Sequence, residues 1–190
     1  MVDTLSRQAA EENSAVACFY FDFVTHEEEQ SPAAVLGSVL KQVVAGLEEV
    51  PERIVRAFRD QGKVVGGQRL PLSKIVELLQ DILSSGCTFI CIDALDECPS
   101  GHLVKLLDLL NQILQESPGA RLFITGRQHI LGEVEKHLGG RVATRVITLP
   151  KNDIITFLRA KLEEDTMPDA MDESLKEEII QNIPETGSGM

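Results

Sequence analysis

Thr88-Phe89-Ile90-Cys91-Ile92-Asp93-Ala94-Leu95-Asp96-Glu97 decides how the rest of the chain is read. Four consecutive apolar residues, Phe89 to Ile92, run straight into a cluster of carboxylates. The run has no polar alternation, so both of its faces are expected to be buried, as in the middle of a parallel sheet. Asp93 then falls at the carboxyl end of a strand, where open α/β sheets bind ligands. A carboxylate there is costly unless it is hydrated, hydrogen-bonded or close to a cation. Two readings fit these residues. In one, Asp93 holds a magnesium ion through water beside the phosphates of a nucleotide. In the other, a buried strand ends in an acidic surface turn. The ten residues alone leave both open.

On the downstream side, Cys98 to Gly101 reads as a turn and 102–116 as a strongly apolar helix. Pro118-Gly119 is a second turn. Residues 120–125 then form a strand, Ala-Arg-Leu-Phe-Ile-Thr, that leads into Gly126-Arg127. A short helix over 130–138 is stopped by Gly139-Gly140, and 145–149 reads as a final strand. Asn152 or Asp153 is expected to cap a helix over 154–164, Met167-Pro168 breaks the chain, and a last helix covers 175–182. The tail from Glu185 reads as flexible.

On the upstream side, a helix over 71–85 shows a broad apolar face and is stopped by Gly86. The stretch 62–68 is glycine-rich, but Gly66-Gly67 is not followed by lysine-serine or lysine-threonine and does not follow a strand. It reads as a connecting turn, not a phosphate loop. A helix over 52–60 precedes it. Ser31-Pro32 opens a longer helix with the proline at its first position. Val35, Leu36, Val39, Leu40, Val43, Val44 and Leu47 follow its amphipathic spacing. Residues 24–31 form an acidic loop, 15–23 an aromatic-rich strand, and 4–12 a short helix capped by Asp3. Alternating strands and helices predict a parallel sheet with helices on both faces.

Composition narrows the function classes. The 43% hydrophobic and 25% charged content is that of a soluble globular chain large enough for a real core. A net charge of -12 argues against non-specific binding to nucleic acid or an anionic membrane surface. No apolar run is long enough to span a membrane, and the first residues do not form a signal peptide. Cys18, Cys87, Cys91 and Cys98 read as small buried hydrophobes in a reducing compartment, without the paired spacing of a zinc site. A cytoplasmic location is the expectation.

Two strand ends form the candidate site. One carries Asp93, with Asp96 and Glu97 just beyond; the other carries Thr125, Gly126 and Arg127. If the strands are neighbours, Asp93 and Arg127 face one crevice. The terminal phosphate of a nucleotide needs a metal anchor and a cation. Asp93 would supply the first and the planar fork of Arg127 the second. Asp96 or Glu97 could orient or deprotonate an attacking water. The plain alternative for Arg127 is a surface salt bridge, with Asp93 itself as a possible partner.

Taken in order, these pieces resemble the NACHT NTPase domain of the signal-transduction ATPases with numerous domains. The likeness is greatest to the nephrocystin-type N-terminal module common in large fungal repeat proteins. Phe89 to Cys98 is similar to the family's extended Walker B, in which a small residue and further acids follow the metal-binding aspartate. Cys18 to Phe23, Gln30-Ser31-Pro32 and Leu36 to Gln42 resemble the strand, acidic loop and helix that precede it. Ala120 to Arg127 resembles the strand that ends in the first sensor arginine. Ile147-Thr148-Leu149 with Asp153-Ile154 resembles the start of the lid region. The resemblance implies a nucleotide-binding core over 1–150 and the beginning of a helical lid with a flexible tail over 151–190. It also implies ATP or GTP with magnesium, slow hydrolysis, and partners that are other copies or domains of the same signalling protein. The implied roles are metal binding by Asp93, nucleotide binding by Arg127 and catalysis by Asp96 and Glu97.

The largest departure is at the front. The family's Walker A loop ends in lysine-serine or lysine-threonine, and no Gly-Lys-Ser or Gly-Lys-Thr occurs in the 190 residues. Its expected place is ahead of the helix over 4–12, together with the strand that feeds it, so the domain is expected to be incomplete as given. Losing about four charge-assisted hydrogen bonds of roughly 1.5–3 kcal/mol each removes on the order of 6–10 kcal/mol. That is several powers of ten in affinity. The expectation is therefore weak or absent ATP binding and hydrolysis by these residues, with a non-enzymatic protein-interaction module as the alternative.

Overall fold

Three strands, β1 (Ala15–Tyr20), β2 (Thr88–Asp93) and β3 (Ala120–Ile124), form one parallel sheet with β2 in the middle. The computed structural model describes residues 14–47, 49–62, 70–84, 86–140, 142–147, 150–164 and 172–186. The expected helix over 4–12, the Gly66-Gly67 turn, the Met167-Pro168 break and residues 187–190 lie outside the described residues. The chain divides into two units, Met1–Val142 and Ala143–Met190.

The first unit contains the sheet. Ala17 pairs with Ile90 and Phe19 with Ile92 across β1 and β2; Ile90 pairs with Leu122 and Ile92 with Ile124 across β2 and β3. These residues share one face of the sheet, because side chains alternate along each strand. Thr88, Ile90 and Ile92 bury one face of β2 completely; on the other, Cys91 is buried, but Phe89 is half-buried and Asp93 exposed, so the second face is covered less than the unbroken apolar run predicts. Burying an isoleucine stabilises by about 1.5–3 kcal/mol, which makes β2 the anchor of the sheet.

The connections explain where the helices lie. Helix α1 (Pro32–Ala45), α2 (Glu52–Gly62) and α3 (Leu72–Leu83) join β1 to β2, and α4 (Ser100–Glu116) joins β2 to β3. Right-handed crossovers between neighbouring parallel strands taken in order place both connections on the same face. The core agrees: Val35, Leu36, Val39 and Leu40 of α1, Leu78 and Leu79 of α3 and Leu106, Leu107 and Leu110 of α4 cluster with Ile90 and Ile92. Val134 and Leu138 of α5 (Leu131–Leu138) join the same cluster. Of the two helical layers expected, this is the one among the described residues. The opposite face carries the exposed Tyr20 and Phe123.

Helix α1 begins as its sequence predicts. Pro32 occupies the first turn, and the Ser31 hydroxyl accepts from the Ala34 N–H at 3.4 Å. Its Gln42 also closes the outer edge of β1. The Gln42 Oε1 accepts from the Cys18 N–H at 2.9 Å and its Nε2 donates to the Cys18 carbonyl at 2.8 Å. One side-chain amide thus takes the place of a neighbouring strand, which blunts an edge that would otherwise invite pairing. The outer edge of β3 has no strand partner among the described residues.

Several boundaries differ from the sequence expectation. β1 ends at Tyr20, not Phe23, and the reason lies in the loop described below. Helix α4 starts at Ser100 because the Pro99 carbonyl accepts from both His102 N and Leu103 N, at 2.8 and 3.2 Å. In the second unit, α6 (Lys151–Glu163) starts from the Pro150 carbonyl, so neither Asn152 nor Asp153 is its cap. Helix α7 (Glu173–Thr186) is capped by Asp172, whose Oδ1 accepts from Leu175 N at 2.8 Å. The strand expected over 145–149 is not formed at 145–147, where Val146 and Ile147 are exposed; Thr148 and Leu149 lie outside the described residues.

Candidate functional site

The carboxyl ends of β2 and β3 are joined through Thr125. Its backbone N–H donates to the Ile92 carbonyl at 2.9 Å, and its carbonyl accepts from Leu95 N at 2.9 Å. Its hydroxyl accepts from Ala94 N at 3.0 Å and donates to the Asp93 Oδ1. One residue therefore fixes both the backbone that leaves β2 and the rotamer of its terminal carboxylate.

The chain turns sharply at Ala94, which has φ 53° and ψ 45°. A left-handed conformation costs a non-glycine residue roughly 1–2 kcal/mol, and the bonds from Thr125 on either side hold it there. The turn drops Leu95 into the core, fully buried, and brings Asp96 and Glu97 onto one short 3-10 turn beside Arg127.

Arg127 pairs with Asp96, not with Asp93. Its Nε lies 3.4 Å from the Asp96 Oδ2, and its backbone N–H donates to the Asp96 Oδ1 at 3.2 Å. The Asp96 side chain is only 7% exposed, whereas that of Arg127 is 70% exposed. Gly126 permits this approach: a Cβ there would lie 2.8 Å from the Ile130 Cδ1 and 3.4 Å from both the Asp96 backbone nitrogen and its Oδ1. Glu97 reaches the other way, and its Oε2 accepts from Phe23 N at 3.0 Å.

That last contact belongs to a loop built by side chains. The Asp22 Oδ1 accepts from Val24 N at 2.8 Å. Gln30, buried at 3% exposure, donates from Nε2 to the carbonyls of Asp22 and Thr25 and accepts from Asp22 N at Oε1. Backbone groups that could have extended β1 are satisfied here by amide and carboxylate, so the strand stops at Tyr20.

Asp93, Asp96, Glu97 and Arg127 thus stand at one end of two adjacent parallel strands. Asp93 is exposed, with one oxygen held by Thr125 and no hydrogen bond to the other among the described residues. A single hydrated carboxylate suits magnesium, which keeps several waters and takes one or two protein oxygens beside phosphates. No group of three or more acids, histidines and cysteines among the described residues could hold a metal by itself. Three carboxylates against one guanidinium leave this end of the sheet anionic, so a phosphate there needs a cation brought with it. Burial pushes the Cys98 thiol up to about 11; burial, and then the neighbouring Cys18, push Cys91 up to about 11. Both are protonated at neutral pH.

The sequence profile described as Nephrocystin 3, N-terminal, matches residues 1–127, 127 of the 190 residues. The chain belongs to the nephrocystin 3 N-terminal family. The matched region takes in all three strands, the acids after β2 and, as its last residue, Arg127. In this family member, spacing along the chain marks the four charged side chains but not the roles of Thr125 and Gln30. The only signal for Thr125 was a hydroxyl residue at a strand end, and Gln30 gave none. No curated protein matches the chain.

Proposed function

We propose that this nephrocystin 3 N-terminal chain carries the Walker B and sensor half of a NACHT-type, nucleotide-switched signalling ATPase domain. The observation that supports it is the convergence of Asp93, Asp96, Glu97 and Arg127 at the carboxyl ends of β2 and β3. Asp93 would hold magnesium through water, with its carboxylate aimed by Thr125. Magnesium, when bound, supplies neutralising charge for a nucleotide's phosphates. Arg127 presents its exposed guanidinium to the terminal phosphate while Asp96 fixes its backbone. Of the two acids assigned to catalysis, Glu97 keeps one oxygen without a hydrogen bond among the described residues, which suits it to orient a water. Asp96 acts chiefly through Arg127. ATP or GTP would be the ligand. Other copies or domains of the same signalling protein would be the partners, in a cytoplasmic setting that keeps the four thiols reduced.

These 190 residues, with no Gly-Lys-Ser or Gly-Lys-Thr among them, are expected to bind ATP weakly or not at all by themselves. Isothermal titration with ATP and magnesium should give no measurable binding heat. Micromolar binding that disappears in Asp93→Asn would overturn this part of the reading.

A non-enzymatic interaction module is favoured by one feature: Phe23 and Val24, 83% and 73% exposed, lie on the loop after β1 that is tied to Glu97 through Phe23 N, close in the chain to the exposed Tyr20. Sedimentation without nucleotide separates the two readings. A specific oligomer that ignores ATP and survives Arg127→Ala supports the module; a nucleotide-dependent change in mass supports the switch.

A further inference from the structure

Cys18 and Cys91 are direct partners in the β1–β2 register. Adjacent strands lie about 4.7–4.9 Å apart, inside the roughly 4.4–6.8 Å window of Cα separations that a disulfide spans. Partners in register point to the same face, so the two side chains stand side by side. Cys91 is buried while Cys18 is half-buried, so Cys18 is the more accessible member of the pair. Cys87 and Cys98 have no such partner: Cys87 precedes β2, and the Cys98 thiol donates to the Pro99 carbonyl at 3.7 Å.

We infer that Cys18 and Cys91 form a cross-strand dithiol that closes to a disulfide under a hydroperoxide, pinning the strand that bears Asp93. The Cys18 sulfur attacks the peroxide, giving a sulfenic acid and one water from hydrogen peroxide. The Cys91 sulfur then attacks the Cys18 sulfur. The S–S bond forms as the S–O bond breaks, and the leaving hydroxyl takes the Cys91 proton as a second water. Two thiols are oxidised and one peroxide is reduced. Proximity makes Cys91 the resolving thiol, because it is the nearest nucleophile and is already oriented. The bridge would set a covalent cross-link two residues ahead of Asp93, independent of any nucleotide.

The test uses the full chain, reduced, treated with hydrogen peroxide, blocked with iodoacetamide and digested without reductant. Mass spectrometry is expected to find a Cys18–Cys91 linked peptide two hydrogens lighter than its parts, which dithiothreitol separates. Cys18→Ser should abolish it, and Cys87→Ser should leave it unchanged. Recovery of Cys18 as sulfinic acid, as a dimedone-trapped sulfenic acid or in a mixed disulfide with Cys87, with Cys91 still alkylatable after unfolding, would overturn the inference. The unsubstituted chain alone decides this, so the result stands even where Cys91→Ser fails to fold.

Discussion

Gly119→Ala is expected to destabilise the sheet unit by about 3 kcal/mol, the upper range for forcing atoms into a packed site. A Cβ at Gly119 would lie 2.3 Å from the Gly86 carbonyl oxygen and 3.1 Å from its carbon. Both are backbone atoms, so no side chain can rotate out of the way. The Gly119 carbonyl also accepts from Thr88 N at 3.3 Å, the first rung between β2 and β3, and Ala15 N donates to the Cys87 carbonyl beside it at 3.2 Å. Making room for a methyl group therefore pulls apart the amino end of the sheet. The urea midpoint should fall with an unchanged slope, since the surface exposed on unfolding is the same. Gly132→Ala is the matched control. It lies within α5 with nothing within 4 Å of its added Cβ, and alanine is the better helix former by roughly 1 kcal/mol. Equal, small effects at the two glycines would mean that the turns at Gly86 and Gly119 do not meet as described.

The same pair of turns shows what the chain reveals by inspection and what it withholds. Pro118-Gly119 and Gly86 each read as punctuation, because local backbone chemistry marks a turn. That the two turns touch depends on the β2–β3 register, which no local pattern encodes. β2 was legible because an apolar run without alternation has few other places to go. α1 was legible because Ser31-Pro32 marks its start and a three-four stripe its length. β1 was read three residues too long: Phe21, Asp22 and Phe23 still look like strand, but Gln30, eight residues beyond Asp22, takes the backbone bonds that would have continued it. Val146 and Ile147 favour strands, yet β-propensity expresses itself only against a partner, and they have none among the described residues. At the site, the acids and the arginine could be placed at strand ends from spacing alone. Which acid the arginine meets could not, because it turns on the left-handed Ala94. One residue of reversed φ swings Asp96 inward and leaves Asp93 facing out.

That pairing predicts an asymmetry between its two partners. Asp96→Ala is expected to cost about 2 kcal/mol, while Arg127→Ala is expected to cost less than about 0.5 kcal/mol. The Asp96 carboxylate is buried and does two jobs: it accepts the Arg127 backbone N–H and faces its guanidinium. Removing it takes the acceptor from a backbone donor and leaves a small void beside Gly126. Removing the Arg127 side chain leaves the backbone bond at 3.2 Å in place, and the guanidinium it deletes was 70% exposed, where an ion pair contributes little. Asp96→Asn should fall between the two, because its amide oxygen still accepts the backbone N–H without the charge. Urea unfolding of the three variants, closed as a double-mutant cycle with Asp96→Ala/Arg127→Ala, gives the pairwise term directly. A coupling below about 0.5 kcal/mol beside a large Asp96 effect would assign Asp96 to the backbone of the Gly126 turn. It would also leave the Arg127 side chain available for a phosphate. A large coupling, with Arg127→Ala as costly as Asp96→Ala, would tie the guanidinium to the fold and count against its role as a sensor.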